Sequence, residues 1–160
     1  MSADTLSDDP SALADWLATP TPGISLLAFR SQITFQQVID EVRAALPQHP
    51  PHIVVYDPAR PDAEAGTAAA VVGRCRELAT GETPAIILRP VTGSLDAEEK
   101  ENATTFWKSL NYQRETLGGL PAQIVLCLDE VQKPYAYAYA KDLISWCAPR
   151  FSFPKLTNTS

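Results

Sequence analysis

Gln123–Glu130 reads QIVLCLDE, an apolar run over Ile124–Leu128 that stops at two carboxylates, Asp129 and Glu130. Successive residues of a strand point to opposite faces, so a strand with one wet face alternates apolar and polar side chains. This run does not alternate. Both of its faces must be covered, as in a parallel sheet sandwiched between helices. Gly118 and Gly119 end the segment before it, and Pro134 suits the first turn of a helix after it.

Three similar runs lie upstream. Ile24–Phe29 (ISLLAF), His52–Asp57 (HIVVYD) and Ala85–Leu88 (AIIL) all have strand length, and the last is ended by Arg89-Pro90. Phe151 and Phe153 alternate in a short final strand. Helical periodicity fills the gaps. Asp9 and Pro10 supply an N-cap and first turn for a short helix carrying Leu13, Trp16 and Leu17. Thr34-x-x-Gln37 has the capping-box pattern and opens a stripe of Phe35, Val38, Ile39, Val42 and Leu46. A small-residue helix carries Val71, Val72, Cys75 and Leu78 and stops at Gly81. A longer helix is expected over Asp96–Leu117, and another runs from Pro134 to Trp146.

Strands alternating with helices specify α/β, a three-layer α/β/α sandwich with a mostly parallel sheet of about five strands. Residues 1–154 read as one domain, with 1–20 as an N-terminal helix and lead-in. Residues 155–160 read as a polar tail or a truncated linker. The 160 residues and 17.4 kDa suit a single core. Thirteen Lys+Arg against 19 Asp+Glu give a net charge of −6, which lacks the basic footprint that nucleic acid or an anionic membrane demands. No apolar run reaches the roughly 18 residues that a bilayer requires. Cys75, Cys127 and Cys147 are odd in number and widely spaced, which points to a reducing compartment and hence to the cytoplasm.

Ligands of doubly wound sheets bind beyond the C-terminal ends of the strands. That rule selects Arg30, Asp57, Arg89, Asp129 and Glu130 as the candidate ligand face. An apolar strand ending in Asp-Glu resembles the magnesium- and water-handling strand of a P-loop ATPase. That chemistry also needs a glycine-rich loop with a lysine to hold the phosphates. The first strand is followed instead by Arg30-Ser31-Gln32-Ile33-Thr34, with neither. No GxGxxG or GxSxG is present. His49 and His52 flank prolines far from any cysteine, so no metal site is expected, and no cofactor. Cys75, Cys127 and Cys147 read as core residues.

On the long helix, Ala103, Trp107, Leu110 and Leu117 share a face, with Phe106 at its edge, and Arg114 projects into that same face. A guanidinium turned inward needs a carboxylate or carbonyl oxygens. Among Asp129, Glu130 and Asp142, the pair Arg114–Asp142 is expected to clasp helix to sheet. Tyr135, Tyr139, Leu143 and Trp146 fit one helical stripe. Tyr137 then projects elsewhere, as a possible interface residue.

From Phe106 to Phe153 the sequence resembles the end of degenerate P-loop domains of the inactive STAND type, found in bacterial proteins that often carry tetratricopeptide repeats. The resemblance rests on Leu110, Asn111, Arg114, Glu115 and Leu117 in one helix, then on Pro121 and the strand Ile124–Leu128. Asp142, Leu143 and Trp146 follow, with a terminal Phe151-x-Phe153. Asp129-Glu130 stands where these domains commonly have a neutral strand end. The resemblance implies a P-loop-NTPase-like fold without a Walker A loop, whose nucleotide face is vestigial. It also implies a non-enzymatic signalling or scaffolding role in bacterial conflict or defence systems, with a protein partner. The alternative is a Mg-dependent nucleotide-binding or hydrolysing domain using Asp129 and Glu130. Receiver-like and TIR-like sheets are further fold alternatives.

Overall fold

The computed structural model describes residues 6–7, 10–19, 21–30, 32–81, 83–91 and 93–153. The N-cap expected at Asp9 and the tail at 155–160 lie outside the described residues. Along the chain run β1 (Leu6–Ser7), α1 (Pro10–Ala18), β2 (Gly23–Phe29), α2 (Gln32–Ala45) and β3 (His52–Tyr56). Then come α3 (Ala68–Leu78), β4 (Ala85–Pro90), α4 (Ala97–Tyr112), α5 (Arg114–Gly118) and β5 (Gln123–Leu128). The chain continues through α6 (Gln132–Tyr139) and α7 (Lys141–Trp146) to β6 (Arg150–Phe153).

All strand pairs are parallel, and the sheet order is β1-β6-β2-β5-β4-β3. Five long strands are thus joined by the two-residue β1, which the sequence did not announce. β5 is buried at every position because β2 and β4 flank it and helices cover both faces.

Right-handed crossovers decide which helix covers which face. The steps β1 to β2 and β2 to β3 move toward one edge of the sheet, and the later steps move back. Helices of the first two crossovers therefore share a face, and α3–α7 take the other. The two cores follow that division. Leu13 and Leu17 of α1 and Phe35, Val38, Ile39 and Val42 of α2 pack on Leu27, Ile87, Val125 and Cys127. Val71, Trp107, Leu110, Leu117 and Leu143 pack on Leu26, Val54, Leu88 and Leu126. Neighbouring residues of β5 feed opposite cores, as strand geometry requires. The structure is an α/β/α sandwich, and none of its helices, among the described residues, is long and apolar enough to cross a membrane.

Several local expectations need correction. α2 starts at Gln32, before Thr34, so Thr34 does not stand at the N-cap. Arg89 and Pro90 belong to β4 instead of ending it. β3 is not covered on both sides: it is the edge strand, and its Val55 is 51 % exposed. The long helix breaks at Gln113, although its start matches, with Asp96 and Glu99 forming a reciprocal capping box. The helix expected over 134–146 breaks at Ala140, whose φ of −124° and ψ of 41° leave the helical region.

Candidate functional site

β2 and β5 are neighbours, yet their C-terminal ends lead away to opposite faces, β2 into α2 and β5 into α6. Chain reversal of this kind opens a crevice where sheets of this class bind ligands. The order of the five long strands, counted along the chain, is 5-1-4-3-2. It differs from the orders of the dinucleotide-binding and flavodoxin-like sheets, and with the latter goes the receiver-like alternative.

Arg30 leaves β2 and Glu130 follows β5, and the Arg30 Nε donates to Glu130 Oε1 across the crevice at 2.9 Å. A cavity of about 210 Å³ lies here, lined by Ala28, Phe29, Arg30, Glu130, Lys133 and Ser152. The side chains of the pair are 67 % and 56 % exposed, so its contribution to stability is under about 1 kcal/mol. Its effect is geometric, since it bridges the two strand ends at the place a ligand would enter. Lys133 also stacks over the Tyr137 ring at 5.8 Å, and Tyr137 is exposed on α6.

Asp129 turns away from this crevice. It is buried, and its Oδ1 accepts the N–H of Gln132 at 2.8 Å, capping the turn that opens α6. Burial pushes its carboxyl above the ordinary carboxylate range, against backbone N–H bonds from Gln132 and Val131 that pull the other way. Asp129 and Glu130 are adjacent in sequence but do not converge on one point.

The remaining predicted residues are dispersed. Asp57 follows the edge strand β3 and accepts from Arg60 at 3.1 Å and from the N–H of Ala59 at 3.2 Å. Arg60 in turn reaches Glu99 at 3.2 Å and ties this loop to α4. The loop turns tightly at Gly66, where a Cβ would sit 1.9 Å from the Arg60 carbonyl oxygen. Arg89 lies on the α2 side of the sheet, its guanidinium 5.0 Å from the Phe35 ring centre. Of the five expected residues, only Arg30 and Glu130 are brought into contact.

The expected Arg114–Asp142 clasp is not formed. Arg114 donates to the Asn111 carbonyl at 2.7 Å and stacks over Trp146 at 5.6 Å. The join between α4 and α7 runs through Asn111: its Oδ1 accepts the N–H of Leu143 at 2.9 Å, and its Nδ2 donates to Asp142 Oδ2 at 3.5 Å. The helical projection failed because the break at Gln113 resets the phase before Arg114.

Two buried polar contacts were not legible in the sequence. Gln132 is buried and its Oε1 accepts the Trp107 Nε1–H at 2.8 Å. Tyr56 is buried and its hydroxyl donates to the Cys127 carbonyl at 2.5 Å.

Other chemistry is sparse. All three cysteines are buried, and burial pushes the Cys75 and Cys147 thiols up to about 12. They stay protonated and unreactive at neutral pH. Among the described residues no three His, Cys, Asp or Glu side chains gather as a metal site. A larger cavity, about 590 Å³, opens among Leu46, His49, Pro50, His52, Pro84 and Gln123 at the N-terminal ends of the strands. There the Gln123 amide is committed to the carbonyls of Trp16 and Thr19, both at 2.7 Å. In comparisons with known proteins, no family model, no curated protein and no solved structure matches this chain.

Proposed function

We propose that this chain is a non-enzymatic signalling or scaffolding domain of a bacterial conflict- or defence-type regulator, acting in the cytoplasm through protein–protein contacts. The observation that carries this reading is the link between β2 and α2. β2 ends at Phe29 and α2 begins at Gln32, so only Arg30 and Ser31 lie between. A phosphate cradle wraps its ligand in the backbone N–H groups of a glycine-rich loop and adds a lysine. A two-residue link has no length for such a loop and contains no lysine.

The acids support the same reading. Asp129 is engaged by the Gln132 N–H in the turn that leads into α6, and Glu130 is paired with Arg30. The strand order is compatible with a P-loop-type sheet that has lost its loop. Asn111, Arg114, Asp142 and Trp146, which carry the inactive STAND resemblance, lie in mutual contact. A motif whose members hold helices together is structural, so it can persist after the nucleotide chemistry is gone. Exposed Tyr137, Tyr139 and Trp146 supply the ring-rich surface that protein interfaces favour.

Hydrolysis of Mg-ATP and Mg-GTP by the purified chain and by Glu130→Gln tests the proposal. The expected result is no turnover above the protein-free rate for either protein. Turnover that the wild type shows and Glu130→Gln loses would establish the nucleotide-hydrolysing alternative.

A further inference from the structure

The cavity of about 590 Å³ lies at the opposite end of the sheet from the Arg30–Glu130 crevice. Its size falls within the range of about 300–1,000 Å³ found for small-molecule sites. Leu17, Leu46, Pro84 and Ala85 give it a largely apolar wall. His49 and His52 are exposed at its mouth, whereas Gln123 is only 1 % exposed and closes its inner end.

Gln123 carries the argument. Its Nε2 gives away both N–H groups, to the carbonyls of Trp16 and Thr19 at 2.7 Å each. Those carbonyls belong to the end of α1, which leads into β2. β2 flanks β5 on one side and β4 flanks it on the other. Oε1 is the opposite arm of a planar amide. It therefore points away from the α1 end, toward the β4 side where Pro84 and Ala85 line the cavity. Among the described residues no donor bonds to that oxygen, and Pro50 and Pro84 of the wall have no N–H to give. A buried acceptor without a donor is destabilising, and a ligand that brings an N–H or O–H relieves it.

The wall also sets the charge of the ligand. Among the described residues it holds no Asp, Glu, Lys or Arg, so a charged molecule would lose hydration without gaining a counter-ion. An aromatic ring buries a large apolar area and still carries a polar handle at one edge. We propose that this cavity binds a small neutral aromatic molecule whose N–H or O–H donates to Gln123 Oε1. The ring lies against Leu17, Leu46 and Pro84, and the two imidazoles flank the entrance. No residue of the β2–β5 crevice takes part, so the inference stands or falls independently of the function proposed above.

Two pairs of probes test it, indole against 1-methylindole and phenol against anisole, because in each pair a methyl group replaces the donor hydrogen. Each is titrated to millimolar concentration into the full chain, and amide chemical shifts are followed by NMR. Indole and phenol should each saturate at one molecule per chain and move the amides of Leu46, His49 and Ala85 and the Gln123 side-chain amide. Their methylated partners should bind about tenfold or more weakly, since they leave Oε1 unpaired. Gln123→Met should bind both members of a pair equally. That variant also releases two α1 carbonyls, so Ala18→Trp serves if it fails to fold. Ala18 is an exposed residue of the wall, and a tryptophan there should abolish binding with the circular dichroism unchanged. Absence of saturable shifts with both donor probes overturns the proposal and assigns the cavity to water. So does equal affinity within both pairs, binding that survives Ala18→Trp, or benzoate binding more tightly than phenol.

Discussion

Asp129 and Gln132 show how one side chain sets the character of the β5 strand end. The Asp129 carboxyl is held by the α6 turn at the cost of burial, and the net effect is a raised pKa. The sign of the pH effect follows. A carboxyl whose folded value exceeds its unfolded one binds its proton more tightly in the native state. Its contribution is fully present below the ordinary value of about 3.9 and is lost as pH rises through the raised folded value. Asp129→Asn keeps the Oδ1 acceptor and removes the buried charge, so its stability relative to wild type should improve from pH 3 to pH 7. Urea unfolding of both proteins across that range checks it, and a difference that shrinks toward pH 7 contradicts it. At Gln132 the argument is about an orphaned donor. Gln132→Leu leaves the buried Trp107 indole N–H without its acceptor, and unfolding should lose about 1–3 kcal/mol. An equally stable leucine variant would mean that the indole finds another partner.

Among the elements, legibility tracked how local the physics is. β5 was readable because burial on both faces leaves an unbroken apolar run, and the start of α4 was placed correctly although its Asp96–Glu99 capping box went unread. The breaks at Gln113 and Ala140 were not readable. Neither position is glycine or proline, and alanine is the best helix former. Tertiary contacts impose the break at Ala140: Ala140 itself is fully buried, and Asn111 supplies the acceptor for the Leu143 N–H at the new helix start. The join between α4 and α7 runs through Asn111 and not through the expected Arg114–Asp142 pair. Removing its side chain with Asn111→Ala should cost about 0.5–2 kcal/mol, the range of a lost cap. It should also speed amide exchange across α7. Asp142→Asn, by contrast, should change stability by less than about 0.5 kcal/mol, as surface substitutions do. Equal losses in the two variants would restore the carboxylate to the clasp. β1 and the edge position of β3 were likewise hidden, because strand order is set by crossovers and not by any strand's own composition.

For the whole molecule, a six-stranded parallel sheet retains the crevice of a ligand-binding α/β fold and fills its mouth with its own side chains. The strand ends named from sequence do lie along one rim of the sheet, but each acid there is engaged: Asp57 with Arg60, Asp129 with the α6 backbone, Glu130 with Arg30. The link from β2 to α2, two residues long, carries neither the glycines nor the lysine of a phosphate cradle. Exposed Tyr137, Tyr139 and Trp146 lie on α6 and α7 on one side of the sheet, and β3 stands at one of its edges. Calorimetric titration of the purified chain with Mg-ATP, Mg-GTP and their diphosphates tests this account most directly. The account predicts no saturable heat at millimolar nucleotide. Saturable binding of one nucleotide per chain, weakened by Arg30→Ala, would contradict it.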